Sequence, residues 1–194
     1  EHYRYPKLSV YPKPHQQPHP PIYVTANRDP ESFQMIGRRG YNLMTLPWIA
    51  TSELQRTRMQ TYFDALREGG HTIESKDIFV MYPAYVGESD VQARAEVFEH
   101  WNGWRMFALE AMNLDPSKGE AYERVVKHLD YDAMAADNRG VFGGPDTCVR
   151  ILRSIIEAVG TTHIGLTFHF GGLGQEKVLK SMERFARGVM PALK

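Results

Sequence analysis

Cysteine, net charge and long apolar runs are all scarce in this sequence. Its 194 residues include one cysteine, Cys148, which excludes an internal disulfide and a zinc site made of several cysteines. The 23 basic residues balance 23 acidic ones, so no global field favours nucleic acid or an anionic membrane surface. No apolar run approaches the roughly 20 residues that span a bilayer. We therefore expect a soluble, cytoplasmic protein without a nucleic-acid or membrane partner.

Several signatures of catalysis and targeting are also missing. The eight histidines include no H-E-x-x-H pair and no serine lies in a G-x-S-x-G motif, so we expect neither a metal site nor triad hydrolysis. The glycine-rich runs 143–144 and 171–174 match neither a dinucleotide fingerprint nor a P-loop. The chain begins at Glu1, with neither an initiator methionine nor a signal sequence, so we expect a fragment of a longer protein.

Apolar residues, by contrast, are plentiful. They make up 42% of the sequence, enough for the core of a single domain over residues 1–194. Six prolines within residues 1–21 predict an extended lead-in, because every X-Pro step disfavours helix at the residue before it. A polar, partly helical insertion is predicted at 113–140.

Strand and helix patterns alternate along the rest of the chain. Asp29 with Pro30 marks the start of the first helix, and Pro145 marks the start of a later one. Ser52 and Gln55 fit a capping box at the start of the second helix. The predicted strands, each followed by a helix, are Ile22–Ala26, Tyr41–Leu46, Ile78–Val86 and His163–Phe170.

This alternation predicts an α/β fold with a parallel sheet. A complete (β/α)8 TIM barrel takes about 250 residues. The four units found here fit half of such a barrel, with helices on the outer face only. The alternative is a small doubly wound sheet, which would carry helices on both faces.

The first strand-to-helix junction is a candidate phosphate site. Thr25, Ala26, Asn27 and Arg28 lie between a strand end and a helix start, where free backbone N–H groups attract an anion. Arg28 would add a charge-assisted contact. The alternative is an ordinary capped turn without a ligand.

Aromatic and histidine side chains supply two further candidates. Trp48 follows the second strand on the presumed active face, where it would lie against a planar cofactor or pack in the core. Alternation in the last strand directs His169 inward at its carboxyl end, so we expect a catalytic role, with a structural hydrogen bond as the alternative. A stripe near helical spacing is expected to form core or subunit contacts: Trp101, Trp104, Met106, Phe107 and Met112.

A family resemblance rests on six short segments. They are 10–14, 17–24, 30–32, 37–42, 142–146 and 170–173, which read VYPKP, QPHPPIYV, PES, GRRGYN, FGGPD and FGGL. Together they resemble the carboxyl-terminal half of the bacterial luciferase-like, flavin-dependent monooxygenase family. The likeness covers nearly the whole chain.

The resemblance implies strands five to eight of a (β/α)8 barrel that binds reduced FMN at the carboxyl ends of its strands. Thr25, Ala26, Asn27 and Arg28 match the family's phosphate-binding loop after strand five, and Trp48 matches an aromatic residue after strand six. The implied activity is oxygenation of a small organic substrate with reduced FMN and O2, the flavin being supplied by a flavin reductase. The expected partners are a missing amino-terminal half or another subunit, in a homo-oligomer.

Two other functions remain open at this point. One is a deazaflavin-dependent hydride-transfer oxidoreductase of the same fold. The other is a noncatalytic half-barrel binding module, whose open sheet face would pair with a second half because a wet parallel sheet is costly.

Overall fold

All five strands of the sheet run parallel. The computed structural model describes residues 4–17, 19–111 and 113–193. The first four strands are β1 (Tyr23–Thr25), β2 (Asn42–Thr45), β3 (Ile78–Val86) and β4 (Val141–Gly143), and the last is β5 (His163–Thr167). Residues 4–17 and 19–22 contain no helix or strand and are exposed, as the prolines predict.

The long strand β3 organises the sheet. Leu43 of β2 pairs with Ile78, and β1 lies beyond β2. On the opposite edge of β3, β5 pairs along Phe79–Pro83. The short strand β4 pairs only with the last three residues of β3, Ala84–Val86. The predicted parallel neighbours are therefore confirmed.

Seven α-helices connect and cover these strands in the described residues. They are α1 (Pro30–Arg38), α2 (Ser52–Glu68), α3 (Asp90–Ala111), α4 (Glu120–His128), α5 (Tyr131–Ala136), α6 (Pro145–Val159) and α7 (Gln175–Arg184). Single turns of 3-10 helix lie at Pro47–Ile49, Ile73–Ser75 and Pro116–Lys118, and π and 3-10 turns follow α7 at Phe185–Val189 and Met190–Leu193. No helix among the described residues is long and apolar enough to cross a membrane.

Helix boundaries follow the predicted signals with one correction. Pro30 and Pro145 occupy first-turn positions as expected. The N-cap of α2 is Thr51, whose hydroxyl accepts from the Leu54 N–H at 3.3 Å, so the predicted Ser52 cap is wrong. Gln55 instead donates its amide to the Pro47 carbonyl at 2.7 Å, which ties the helix to the preceding loop.

Two strand predictions need correction. The last strand ends at Thr167 rather than Phe170, because the chain leaves the sheet where Pro83 ends its pairing with β3. The segment 141–143 is a strand that the pattern missed, since three residues are too few to show alternation. This segment is a strand because it pairs with the end of β3, and its own sequence shows no strand pattern.

One face of the sheet carries the main core. Leu43, Ile78, Val80 and Tyr82 are buried on this face against side chains of α1, α2 and α6. The opposite face is largely open, and its residue Met81 is 36% exposed. Helices therefore cover one face over most of the sheet, as expected for barrel strands rather than a doubly wound sheet.

A second core cluster closes the carboxyl end of the sheet. Tyr85 at the end of β3 and Phe142 of β4 pack with Trp101 of α3 and Tyr131 of α5. The Trp101 indole also donates to the Leu129 carbonyl at 2.8 Å. The insertion that contains α4 and α5 is thus fastened over the strand ends by buried aromatic side chains.

The single thiol belongs to the main core. Cys148 of α6 is fully buried, and its sulfur lies 3.6 Å from the Gly143 carbonyl oxygen. Burial raises the pKa of this thiol to about 12. Cys148 is therefore a packing residue with no thiolate at neutral pH.

Gly171 and Gly172 form a matched pair after β5. Both have positive φ, 58° and 70°, but a Cβ at Gly171 would overlap the His100 carbonyl oxygen, whereas a Cβ at Gly172 meets no atom within 4 Å. We expect Gly171→Ala to lower the free energy of unfolding by about 2 kcal/mol more than Gly172→Ala, since only the first adds a backbone clash to the strain. Urea unfolding measures both, and equal losses would contradict the close approach of this loop to α3.

Candidate functional site

A cavity of about 1150 Å³ opens at the carboxyl ends of β1 and β2. One wall consists of the loops that follow these two strands, 25–29 and 46–50, together with the start of α2. The other wall comes from the second half of α3 and from α4. Such a volume accommodates a cofactor-sized ligand. The cavity contains all five predicted cofactor-binding residues: Thr25, Ala26, Asn27, Arg28 and Trp48.

Asn27 joins the two strand-end loops. Its side-chain oxygen accepts from the Leu46 N–H at 2.8 Å and lies 3.3 Å from the Thr45 hydroxyl. The Ala26 N–H is already donated to the Met44 carbonyl, so it is not free for a ligand. The backbone N–H groups of Asn27 and Arg28 have no acceptor among the described residues.

The start of α1 already holds an anion of its own. The Asp29 carboxylate accepts from the N–H groups of Glu31 and Ser32 and from the Ser32 hydroxyl. These hydrogen bonds, chiefly that from the hydroxyl, lower the pKa of Asp29. The helix start is thus a capped turn, and any anion-binding capacity of the cavity must come from groups beside it.

Arg58 is such a group, and the sequence patterns did not single it out. This side chain of α2 is only 9% exposed, yet Nε and Nη1 have no hydrogen-bond acceptor, and Nη2 reaches only the Arg28 carbonyl at 3.3 Å. Desolvation first, and the nearby Arg28 charge second, lower its pKa. Two guanidinium groups therefore line one end of the cavity, and no carboxylate pairs with either in the part of the chain described.

Aromatic side chains form the middle of the cavity. Trp48 lies in the short helix after β2, with its ring centroid 5.6 Å from that of Trp104 and 5.9 Å from that of Trp101. Trp101 is buried core, as expected. Trp104 packs against the second core cluster and also lines the cavity, which agrees with a core position. Phe107 lines the cavity and is exposed, so for this residue the expected core or subunit contact stays a prediction. Met112 of that stripe lies outside the described residues.

Arg139 joins the two walls of the cavity through its hydrogen bonds. Arg139 is only 4% exposed. Its guanidinium donates to the Trp48 carbonyl at 3.2 Å and to the His128 carbonyl at 2.7 Å. Its Nε lies 3.1 Å from the Asp137 carboxylate. One buried cation thus fixes the tryptophan loop against the end of α4. Sequence reasoning missed it because Arg139 lies within the polar insertion, where charge is ordinarily solvated.

His128 lines the cavity at the last residue of α4. Its Nε2 is 3.0 Å from Nη1 of Arg139 and 3.1 Å from the Ile49 carbonyl oxygen. Desolvation and then the Arg139 charge lower the pKa of this imidazole. Among titratable side chains in the cavity, His128 is therefore neutral at physiological pH and close to the aromatic wall.

His169 is not part of this constellation. It lies two residues beyond the end of β5, is exposed, and does not line the cavity. The neighbouring Phe168 and Phe170 pack into the core clusters, which is consistent with alternation that turns His169 towards the open sheet face. Its predicted role therefore depends on what covers that face. No group of acidic, histidine or cysteine side chains suited to a metal ion occurs within the described ranges.

Two curated proteins are similar in sequence to this chain. The alkanal monooxygenase alpha chain from the Kryptophanaron alfredi symbiont is 26% identical over 207 residues, covering 100% of this chain and 57% of that protein. The oxygenase component of the flavin-dependent trigonelline monooxygenase from Acinetobacter baylyi is 26% identical over 197 residues, covering 99% and 54%. The chain thus spans about half the length of the curated relatives it matches.

Solved structures share the fold at lower identity. The monooxygenase RslO1 from Streptomyces bottropensis superposes with a TM-score of 0.73 at 23% identity, covering 100% of this chain and 54% of that one. The FMN complex of 3,6-diketocamphane monooxygenase from Pseudomonas putida gives 0.62 at 20% identity, covering 91% and 50%. The coenzyme F420-dependent tetrahydromethanopterin reductase from Methanopyrus kandleri gives 0.61 at 16%, covering 90% and 51%.

These structures place the parallel sheet and its one-sided helices in the fold of the luciferase-like TIM-barrel enzymes. The family described as luciferase-like monooxygenase matches residues 1–163, which include the cavity and every residue assigned to it. The chain belongs to the luciferase-like monooxygenase family.

Proposed function

We propose that the protein is a flavin-dependent monooxygenase that uses reduced FMN and O2 to oxygenate a small organic substrate. The observation that carries this proposal is the buried Arg58 guanidinium, which has two unpaired nitrogens beside Arg28 at one end of an aromatic-lined cavity. Burying such a cation without a partner is costly unless an anion completes the site. A flavin phosphate has the charge and the acceptor oxygens that this end lacks.

The fit extends to the rest of the cavity. Arg58, Arg28 and the backbone N–H groups of Asn27 and Arg28 would hold the phosphate, and Trp48 would bound the planar ring system. Asn27 keeps the two loops in register, and the aromatic wall excludes water. Reduced flavin, when bound, supplies the electrons that activate O2 for insertion of one oxygen atom into the substrate. The name of the trigonelline oxygenase component supports a separate flavin reductase as the electron source.

The open sheet face supports a further part of the proposal. Exposed side chains such as Tyr23 and Met81 lie where the interior of a complete barrel would be, and the curated relatives are nearly twice as long as this chain. We propose that a further segment or subunit supplies the other half of the barrel, within a homo-oligomer. His169 would then face the enclosed active site, where its imidazole can bond to substrate.

A deazaflavin cofactor is the second candidate, favoured by the likeness to the F420-dependent reductase. Such a cofactor also carries phosphate, so the Arg58 site does not separate the two. Its chemistry does, because hydride transfer consumes no oxygen.

Anaerobic titration followed by oxygen admission tests the proposal. We expect reduced FMN to bind and quench the fluorescence of Trp48 and Trp104, whose rings are 5.6 Å apart in the cavity wall. Admission of O2 should then consume oxygen, with hydrogen peroxide released when no substrate is present. Binding of F420 with no oxygen consumption would support the deazaflavin enzyme instead. Failure of both cofactors to bind would leave the noncatalytic binding module.

A further inference from the structure

The wall of the cavity opposite the arginines is almost entirely apolar. It is built by α3, by α4 and by the turn between them, and its one charged residue among those described, Arg124, is exposed. His128 is the one half-buried polar side chain of this wall within the described residues. Its apolar neighbours are Trp104, Phe107, Ala108, Ala111, Leu114 and Val125.

Two contacts of His128 compete for the same ring nitrogen, Nε2. Nε2 lies 3.0 Å from Nη1 of Arg139 and 3.1 Å from the Ile49 carbonyl oxygen. An Nε2–H would donate to the Ile49 carbonyl oxygen, whereas arginine is always protonated and can only donate, so the Arg139 contact requires a lone pair on Nε2. The guanidinium is charged and makes the shorter contact, so it is the stronger partner. This contact favours the neutral ring with its proton on Nδ1.

Nδ1 is the nitrogen left for a ligand. It has no hydrogen bond to the residues described, and it is not among the buried atoms that lack a partner, so it is accessible. The backbone of His128 is immobilised as well, because Arg139 donates to its carbonyl at 2.7 Å. The helix end that carries the imidazole is therefore held in place.

We propose that His128 is the hydrogen-bond donor of the apolar wall, held in the Nδ1–H form by Arg139 as its positioning residue. The cavity then selects a largely apolar molecule that carries a hydrogen-bond acceptor such as a carbonyl oxygen. This specificity role rests on the proposed function only in that the apolar part of the cavity takes the organic substrate. A substrate without an acceptor would leave the donor unpaired in an apolar wall, which costs affinity.

The tautomer is measured directly by nitrogen NMR of the histidine ring in the full chain. We expect His128 to show a protonated Nδ1 and an unprotonated Nε2 at neutral pH, whereas an exposed ring such as that of His15 should show no single fixed tautomer. An Nε2–H tautomer, or a doubly protonated ring, would overturn the proposal. No cofactor is needed for this measurement.

Two substitutions separate ligand binding from the contact with Arg139. In His128→Asn the amide donor lies near the position of Nδ1, whereas in His128→Gln the amide oxygen lies near that of Nε2 and keeps an acceptor for Arg139. The probes are cyclohexanone and methylenecyclohexane, which differ in one atom group, a carbonyl oxygen against a methylene. Their affinities are read from protein NMR shifts, which also report whether each variant is folded.

The affinity for cyclohexanone divided by that for methylenecyclohexane measures the hydrogen bond to the carbonyl oxygen. The cost of desolvating the ketone is the same for every variant and therefore cancels when these ratios are compared. We expect His128→Asn to keep the wild-type ratio and His128→Gln to lower it about tenfold, the value of one buried hydrogen bond. Equal ratios in all three proteins, the opposite order, or no binding of either probe would overturn the proposal. If FMN still binds in any of those cases, only the role of His128 fails; if the probes behave as expected and FMN does not bind, only the flavin proposal fails.

Discussion

Arg58→Met is expected to lower the affinity for FMN at least about 100-fold without destabilising the protein. The variant lacks the guanidinium and so loses two charge-assisted hydrogen bonds to the phosphate, each worth about 1.5–3 kcal/mol. In the free protein the same two nitrogens are buried without acceptors, so methionine removes a desolvation cost while filling a similar volume. We therefore expect unchanged or increased resistance to urea together with weaker binding in calorimetry.

Arg56→Met is the matched control, because this exposed arginine lies on the same helix but does not line the large cavity. It should leave FMN affinity unchanged. Arg28→Ala should weaken binding less than Arg58→Met does, since the Arg28 side chain is exposed and its interactions are screened. Unchanged affinity in Arg58→Met would remove the anion site and, with it, the main support for a flavin cofactor.

Arg139→Met is expected to lower the free energy of unfolding by about 4 kcal/mol, the range found when one partner of a buried charge pair is removed. Its guanidinium is the donor for the carbonyls of Trp48 and His128 and the cation beside Asp137. Methionine leaves these acceptors without a donor in a buried environment. Urea unfolding measures the loss, and the Trp48 loop should exchange its amide hydrogens faster in the variant.

Arg94→Met provides the comparison on the surface. Arg94 pairs with Asp132 of α5 at 2.9 Å, but half of its side chain is exposed, and it is also stacked over Phe98. Surface pairs of this kind contribute little, and the methionine stem retains the apolar contact. We expect a small change in stability. A loss as large as that of Arg139→Met would show that contacts of α5 in general, rather than the buried guanidinium, hold the insertion in place.

The order of strands and the first wall of the cavity were predictable because their signals are local. The apolar segment before Asp29 and Pro30 and the position of Trp48 after the next strand place both loops at the same edge of a parallel sheet. The resemblance to a family then assigned these loops to a phosphate and a planar ring. Neither step required knowledge of distant contacts.

The second wall and the arginine end of the first wall were not predictable from local signals. Arg58 has the pattern of a solvated residue of a polar helix, yet it is buried and contacts the Arg28 carbonyl, 30 residues away in sequence. His128 and Arg139 meet Ile49 and Trp48 across 79 and 91 residues of sequence, a distance over which no periodicity carries information. The prediction for His169 rests on alternation that continues past Thr167, whereas the strand stops there.

The rate at which the buried Cys148 is alkylated measures how often the core of the domain opens. A single thiol with a pKa of about 12, enclosed between α6 and the ends of β3 and β4, reacts with an alkylating reagent only after that core has opened. Labelling followed by intact mass measurement therefore counts opened molecules directly, with no second cysteine to confuse the signal. When the reagent is slow, the labelling rate gives the free energy of opening; when it is fast, the same experiment gives the opening rate. A ligand that binds only the closed domain would lower the labelling rate of Cys148 in proportion to its occupancy, whatever the ligand's own chemistry.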